Sequence, residues 1–240
     1  MEIILLSILS FIASAIGTTT GFGISTVMIP VVLLFYPLSQ TLLFVGIIHC
    51  VGNIWKVLLF KHGIRWKLIL SFGVPGIVAS VLGASLVFAV SASLLSRILA
   101  AFIIIYVIYL FANPSFRVKS NNLSAICGGA GSGFLAGIFG MGGAVRSLFL
   151  SAFDLPKPVY IATGGAIALV IDVTRLTTYL SQGVRLEKLL LWGMLIIIPA
   201  TLAGAKTAKL VVDRIPQKYF RTVVAVFLFL VAVKLLLLPT

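Results

Sequence analysis

Eight apolar stretches, at 3–34, 38–60, 68–90, 94–112, 121–150, 156–180, 187–210 and 218–238, take up nearly all of this 240-residue chain. Segments of that length and apolarity belong in lipid, where backbone N–H and C=O groups find no water and must pair within their own structure. Helices satisfy that demand segment by segment. Only 10% of the residues are charged, against about 25% in a soluble domain, so the stretches read as spans and not as globular cores. The expectation is an all-α, polytopic protein of the cell membrane, multi-pass, with seven to eight transmembrane segments. Its start, MEIILLSILS, lacks the basic region of a cleavable signal peptide, and none is expected.

The first and fifth stretches are too long for one simple span, and each holds a glycine cluster: GTTTGFG at 17–23 and GFLAGIFGMGG at 133–143. Glycine costs about 1 kcal/mol against alanine in a helix interior. Clusters at corresponding places in two halves of a membrane protein point to discontinuous helices and to a transporter's binding site. An opened backbone offers N–H groups and a positive helix end to an anion. The same small residues also suit close helix packing, and both readings stand at this point.

The polar run NPSFRVKSNN at 113–122 separates a first membrane repeat, 1–112, from a second, 123–240. Gly17 corresponds to Gly140 at 140 − 17 = 123, and Asn53 and Lys56 to Asp172 and Arg175 at 172 − 53 = 119. Gly63-Ile64-Arg65 corresponds to Gly183-Val184-Arg185 at 183 − 63 = 120, while Pro75 and Arg97 match Pro199 and Arg221 at an offset of 124. Five matches in order predict two pseudo-symmetric four-segment repeats with glycine-broken helices. If every stretch crossed once, alternate loops would carry seven basic residues on either side, and the positive-inside rule would set no orientation. Halves of opposite orientation, with broken segments that turn back, account for that tie.

The net charge of +13 would suggest nucleic acid in a soluble protein. Here the basic residues punctuate apolar runs and anchor them to anionic headgroups. The expected partners are the lipid bilayer and a small anionic solute, without nucleic acid; a homo-oligomer is left open. Cys50 and Cys127 sit in apolar segments at positions the repeat does not match, and are expected as two buried small hydrophobes.

Candidate binding residues follow from the breaks. Thr18, Thr19 and Thr20 put three hydroxyls beside Gly21 and Gly23, so that donors and closely approaching backbone face one solute. Gly140, Gly142 and Gly143 lead into Arg146, whose planar guanidinium matches the oxygens of a sulfo, carboxylate or phosphate group. An arginine in a span needs a partner or a wet cavity, unless it snorkels to the interface. Asp172 and Arg175, three apart, share one helix face, and Asn53 with Lys56 holds the equivalent face in the first half. Asn53 and Arg175 are therefore taken as substrate-binding. Asp172 is the one acid well inside a span, and His49 lies one turn from Asn53. Both are candidates for proton coupling, or for a fixed structural pairing.

Catalysis is not expected. Ala130-Gly131-Ser132-Gly133 departs from the intramembrane serine protease signature, GxSG, at its first glycine, and no histidine follows residue 62. No His/Cys/Asp/Glu cluster has metal-ligand spacing, so neither a metal nor another cofactor is expected.

With these residues in place the chain resembles the TauE/SafE family of membrane permeases, known as sulfite exporters. Gly17 to Gly23 with Pro30 is similar to that family's G-T-T-G-F-G element and following proline. Gly133 to Gly143 is similar to its G-F-x-x-G-x-x-G-x-G-G element. An arginine, Leu155-Pro156-Lys157 and a D-x-T-R-x-x-x-Y-L run from Asp172 to Leu180 follow in order. The departure is Ala144, where many members carry glycine or proline. The resemblance implies a carrier of sulfite or a small organosulfonate. The residues themselves lead to an anion carrier with a site between two repeats near the midplane, proton-coupled through Asp172. An anion-selective channel and a non-transporting scaffold are the alternatives.

Overall fold

The computed structural model describes residues 2–20, 23–60, 63–112 and 118–211, together with Val233. Every regular element among them is helical. In chain order they are α1 (Glu2–Thr20), α2 (Ser25–Val32), α3 (Leu38–Leu59), α4 (Trp66–Ala89) and α5 (Ala92–Ala112). There follow α6 (Asn122–Phe139), α7 (Gly143–Leu150), a 3-10 turn (Ser151–Phe153), α8 (Lys157–Ser181) and α9 (Lys188–Val211). Six of these helices, α1, α3, α4, α6, α8 and α9, are long and apolar enough to cross a membrane. The eighth apolar stretch, 218–238, lies outside the described residues apart from Val233.

Local chemistry sets the ends. Pro37 and Pro156, both in extended backbone, stand just before α3 and α8, where a missing N–H costs nothing. The Asn121 side chain accepts from the Ser124 backbone N–H at 2.8 Å and caps α6 as it leaves the polar loop. At the other end of α6, Gly140 takes the left-handed conformation (φ 69) that closes a helix. That conformation is why the fifth apolar stretch breaks where it does.

The helices pack in crossed pairs. α3 and α8 meet along their lengths at the centre, α1 lies on α9, and α4 lies on α6. The α4–α6 contact is backbone on backbone: a Cβ on Gly133 would run into the Gly76 carbonyl, and one on Gly137 into the Ser80 carbonyl. The α1–α9 contact is built alike, with Gly204 against the Phe11 carbonyl and Ser14 Oγ donating to the Thr201 carbonyl at 2.7 Å. In lipid, where apolar area drives little association between helices, such close approach supplies the attraction. Leu70, Val74, Val78 and Leu82 of α4 point outward, as Leu191 and Leu195 of α9 do, and form lipid-facing surface.

Gly133 and Gly137 therefore serve packing, and the second break is confined to 140–142. Gly133→Ala is expected to destabilise the protein by about 1–3 kcal/mol through overpacking, lowering Tm by roughly 2–10 °C. Thermal unfolding in detergent checks this, with Gly131→Ala, whose Cβ would meet only Val145 at 3.4 Å, as the comparison that should change little. The cysteines are free, as expected, but less buried than expected: Cys50 is only partly buried and Cys127 exposed, since position 127 falls on the outer face of α6.

Candidate functional site

Four of the buried ionisable side chains, His49, Lys56, Asp172 and Arg175, converge where α3 meets α8. Asp172 of α8 is 1% exposed and is enclosed by donors from both helices. Its Oδ2 lies 2.7 Å from His49 Nδ1 and accepts from Asn53 Nδ2 at 2.8 Å. Its Oδ1 accepts from Arg175 Nε at 2.9 Å, with Nη2 at 2.8 Å. His49, Asn53 and Lys56 recur at four and three residues along α3, so one face carries all three. Lys56 Nζ in turn donates to Asn53 Oδ1 at 3.3 Å. The result is a continuous polar chain, Arg175–Asp172–His49/Asn53–Lys56, across the central helix pair.

Two members of this chain touch the helix breaks. His49 Nε2 is buried without a hydrogen-bond partner, and a Cβ on Gly23 would come within 2.7 Å of it. Gly23 has φ +91, which a side chain would strain. At the second break, a Cβ on Gly140 would come within 3.2 Å of Arg175 Nη1. Each break thus leaves room for a polar side chain from a central helix.

A small cavity opens beside Lys56, lined by Gly17, Thr18, Lys56, Arg146, Ser147, Leu150, Tyr160, Ile161, Gly164 and Gly165. Arg146 reaches it from α7 and Lys56 from α3, and both are almost fully buried, at 4% and 3% exposure. Among the described residues neither has a carboxylate within salt-bridge distance. The Thr18 hydroxyl is buried there without a hydrogen-bond partner among the described residues, and Tyr160 donates to the Ser147 carbonyl at 3.3 Å. Two buried cations, an unspent hydroxyl and glycine walls suit a small anion.

The expected residues are distributed as follows. Thr18 and Arg146 line the cavity, and Asn53 lies one hydrogen bond behind Lys56. His49, Asp172 and Arg175 form the neighbouring cluster; Arg175 pairs with Asp172 and is not among the cavity's lining residues. Thr19 bonds back to the Ala15 and Ile16 carbonyls at 3.1 and 2.9 Å. α1 continues through Gly17 to Thr20, so the first break begins later than the glycine spacing suggests. The Thr20 side chain and Gly21 lie outside the described residues. Gly142 packs on the Ser132 carbonyl and Gly143 opens α7, which delivers Arg146.

Lys56, Tyr160 and Ser147 were not among the binding residues expected from sequence. Lys56 was visible as the counterpart of Arg175, but its role depends on Gly165, on whose missing side chain its Cβ leans (a Cβ there would sit 3.2 Å away). No group of three or more potential metal ligands occurs among the described residues.

The family model for the sulfite exporter TauE/SafE matches residues 6–235. A search of curated proteins finds no match. The chain belongs to the TauE/SafE family and is a multi-pass membrane protein of the sulfite-exporter type.

Proposed function

We propose that this TauE/SafE member is a secondary carrier of sulfite or a small organosulfonate, holding its substrate between two pseudo-symmetric repeats and moving it together with a proton. The observation that carries the reading is the cavity in which Lys56 and Arg146, among the described residues, are buried without a carboxylate partner, beside a Thr18 hydroxyl that likewise has no hydrogen-bond partner among them. Buried cations in a span are costly unless something of opposite charge joins them. An oxyanion does so and takes the threonine hydroxyl as a further donor.

Several pairings support two repeats, 1–112 and 123–240, and seven to eight spans. Under exchange of halves α1 becomes α6 and α4 becomes α9, so the α1–α9 contact maps onto α6–α4. Gly46 of α3 makes room for Arg175, at 3.4 Å from Nη1 to a Cβ built there, while Gly165 of α8 makes room for Lys56. Both glycine and cation are offset by 165 − 46 = 175 − 56 = 119. Gly63 and Gly183 share left-handed backbone at φ 86 and 83. The polar groups gather at the centre of the bundle instead of lining a path along it, which favours a carrier over a channel.

The test is sulfite flux into proteoliposomes. Arg146→Lys keeps the charge but loses the planar fork, and its apparent affinity is expected to fall about tenfold, equivalent to one charge-assisted hydrogen bond. Arg146→Ala should fall further. Transport by both variants at the wild-type rate and affinity would reduce Arg146 to packing and remove the proposed site.

A further inference from the structure

We infer that Lys56 and Arg146 together count charge: the cavity takes a compact oxyanion bearing two negative charges, in preference to a singly charged sulfonate or a zwitterion. This rests on the sulfur-anion reading above and narrows it. Among the described residues the buried lysine, arginine and carboxylate side chains of the bundle are Lys56, Arg146, Asp172 and Arg175. Asp172 and Arg175 compensate one another as an ion pair at 2.8 Å. Lys56 and Arg146 are left over, two positive charges against the same small cavity, whose ten lining residues include no acid.

Charge in a low-dielectric interior is stabilised in proportion to how completely it is neutralised. A dianion neutralises both cations at once. A monoanion of the same shape leaves one uncompensated. A zwitterion such as taurine would in addition bring its ammonium against two like charges with no carboxylate to receive it. Lys56 is thus a specificity-determining residue. Its amino group donates to Asn53 Oδ1 at 3.3 Å, and the absent side chain of Gly165 lets its stem pass.

Sulfate and methanesulfonate are nearly the same size and differ by one charge, which makes them the direct probes; sulfite and taurine complete the set. Affinities are measured by titration calorimetry on the full chain purified in detergent. The wild-type protein is expected to bind sulfate and the sulfite dianion at least about tenfold more tightly than methanesulfonate, with taurine weaker still. Lys56→Gln should collapse that ratio toward one, mainly by weakening the dianions, while Lys56→Arg keeps the charge and should preserve it. Retention of fold in either variant is read from gel filtration and thermal unfolding. Equal affinity for sulfite and methanesulfonate or taurine in the wild type would overturn charge counting and leave the sulfur-anion carrier standing. An unchanged ratio in folded Lys56→Gln would overturn the role of Lys56. Binding of none of the four would overturn the carrier reading with it.

Discussion

Asp172→Ala is expected to lose the native fold under conditions where the wild type is stable. The carboxylate accepts from His49 and Asn53 of α3 and from Arg175 of α8, so its removal unties the two helices at the centre of the bundle. The larger cost lies in what remains, because Arg175 is fully buried at 0% exposure and would be left charged without its counterion. Breaking one side of such a pair costs about 3–5 kcal/mol, a large part of the 5–15 kcal/mol of a typical native state (roughly). Yield of monodisperse protein and thermal unfolding in detergent report the loss. Removing the stranded charge as well, in Asp172→Ala/Arg175→Met, should recover most of it, since an apolar replacement of a buried pair is often neutral. A double variant no better than the single one would show that helix-to-helix hydrogen bonding, and not uncompensated charge, sets the cost.

How far the sequence reaches toward this arrangement depends on the kind of constraint. The spans are legible because lipid imposes length and apolarity on each one separately: the stretch read at 38–60 is α3 at Leu38–Leu59, and that at 187–210 is α9 at Lys188–Val211. The pairing of Asp172 with Arg175 is legible too, since three residues along a helix share a face. Helix crossings are not, because they depend on which backbone meets which. Gly133 and Gly140 look alike in sequence, yet one sits against the Gly76 carbonyl inside α6 and the other turns the chain with φ 69. Arg175 was expected at the same cavity as Arg146, a grouping natural for two cations near two breaks. In three dimensions Asp172 holds Arg175 by Nε and Nη2, and the second cation at the cavity is Lys56. Only the crossing of α3 with α8, which sets Lys56 against Gly165, reveals that exchange.

His49→Gln is expected to bind sulfite but to lose all acceleration of transport by a pH gradient, and so is Asp172→Asn in whatever fraction folds with Arg175 left uncompensated. His49 presents Nδ1 to Asp172 at 2.7 Å, while its Nε2 is buried without a partner and faces Gly23 at the first break. A proton arriving at Nε2 would convert the ring to an imidazolium whose other N–H already points at a carboxylate. An anion beside Lys56, one link along the same polar chain, would add to that stabilisation. Linkage is reciprocal, so proton and anion would each favour the other's binding and cross together. Acidifying the side from which sulfite enters should therefore speed wild-type uptake into proteoliposomes. Glutamine at 49 can still donate to Asp172 but takes up no further proton, and asparagine at 172 still offers Arg175 an oxygen but no charge to hold the imidazolium. The rival is a fixed clamp in which His49 and Asp172 only join α3 to α8. It predicts that any variant that folds responds to the gradient as the wild type does. Full pH-driven sulfite transport by well-folded Asp172→Asn would decide for the clamp, and the proton would then have to travel by a route that avoids this pair.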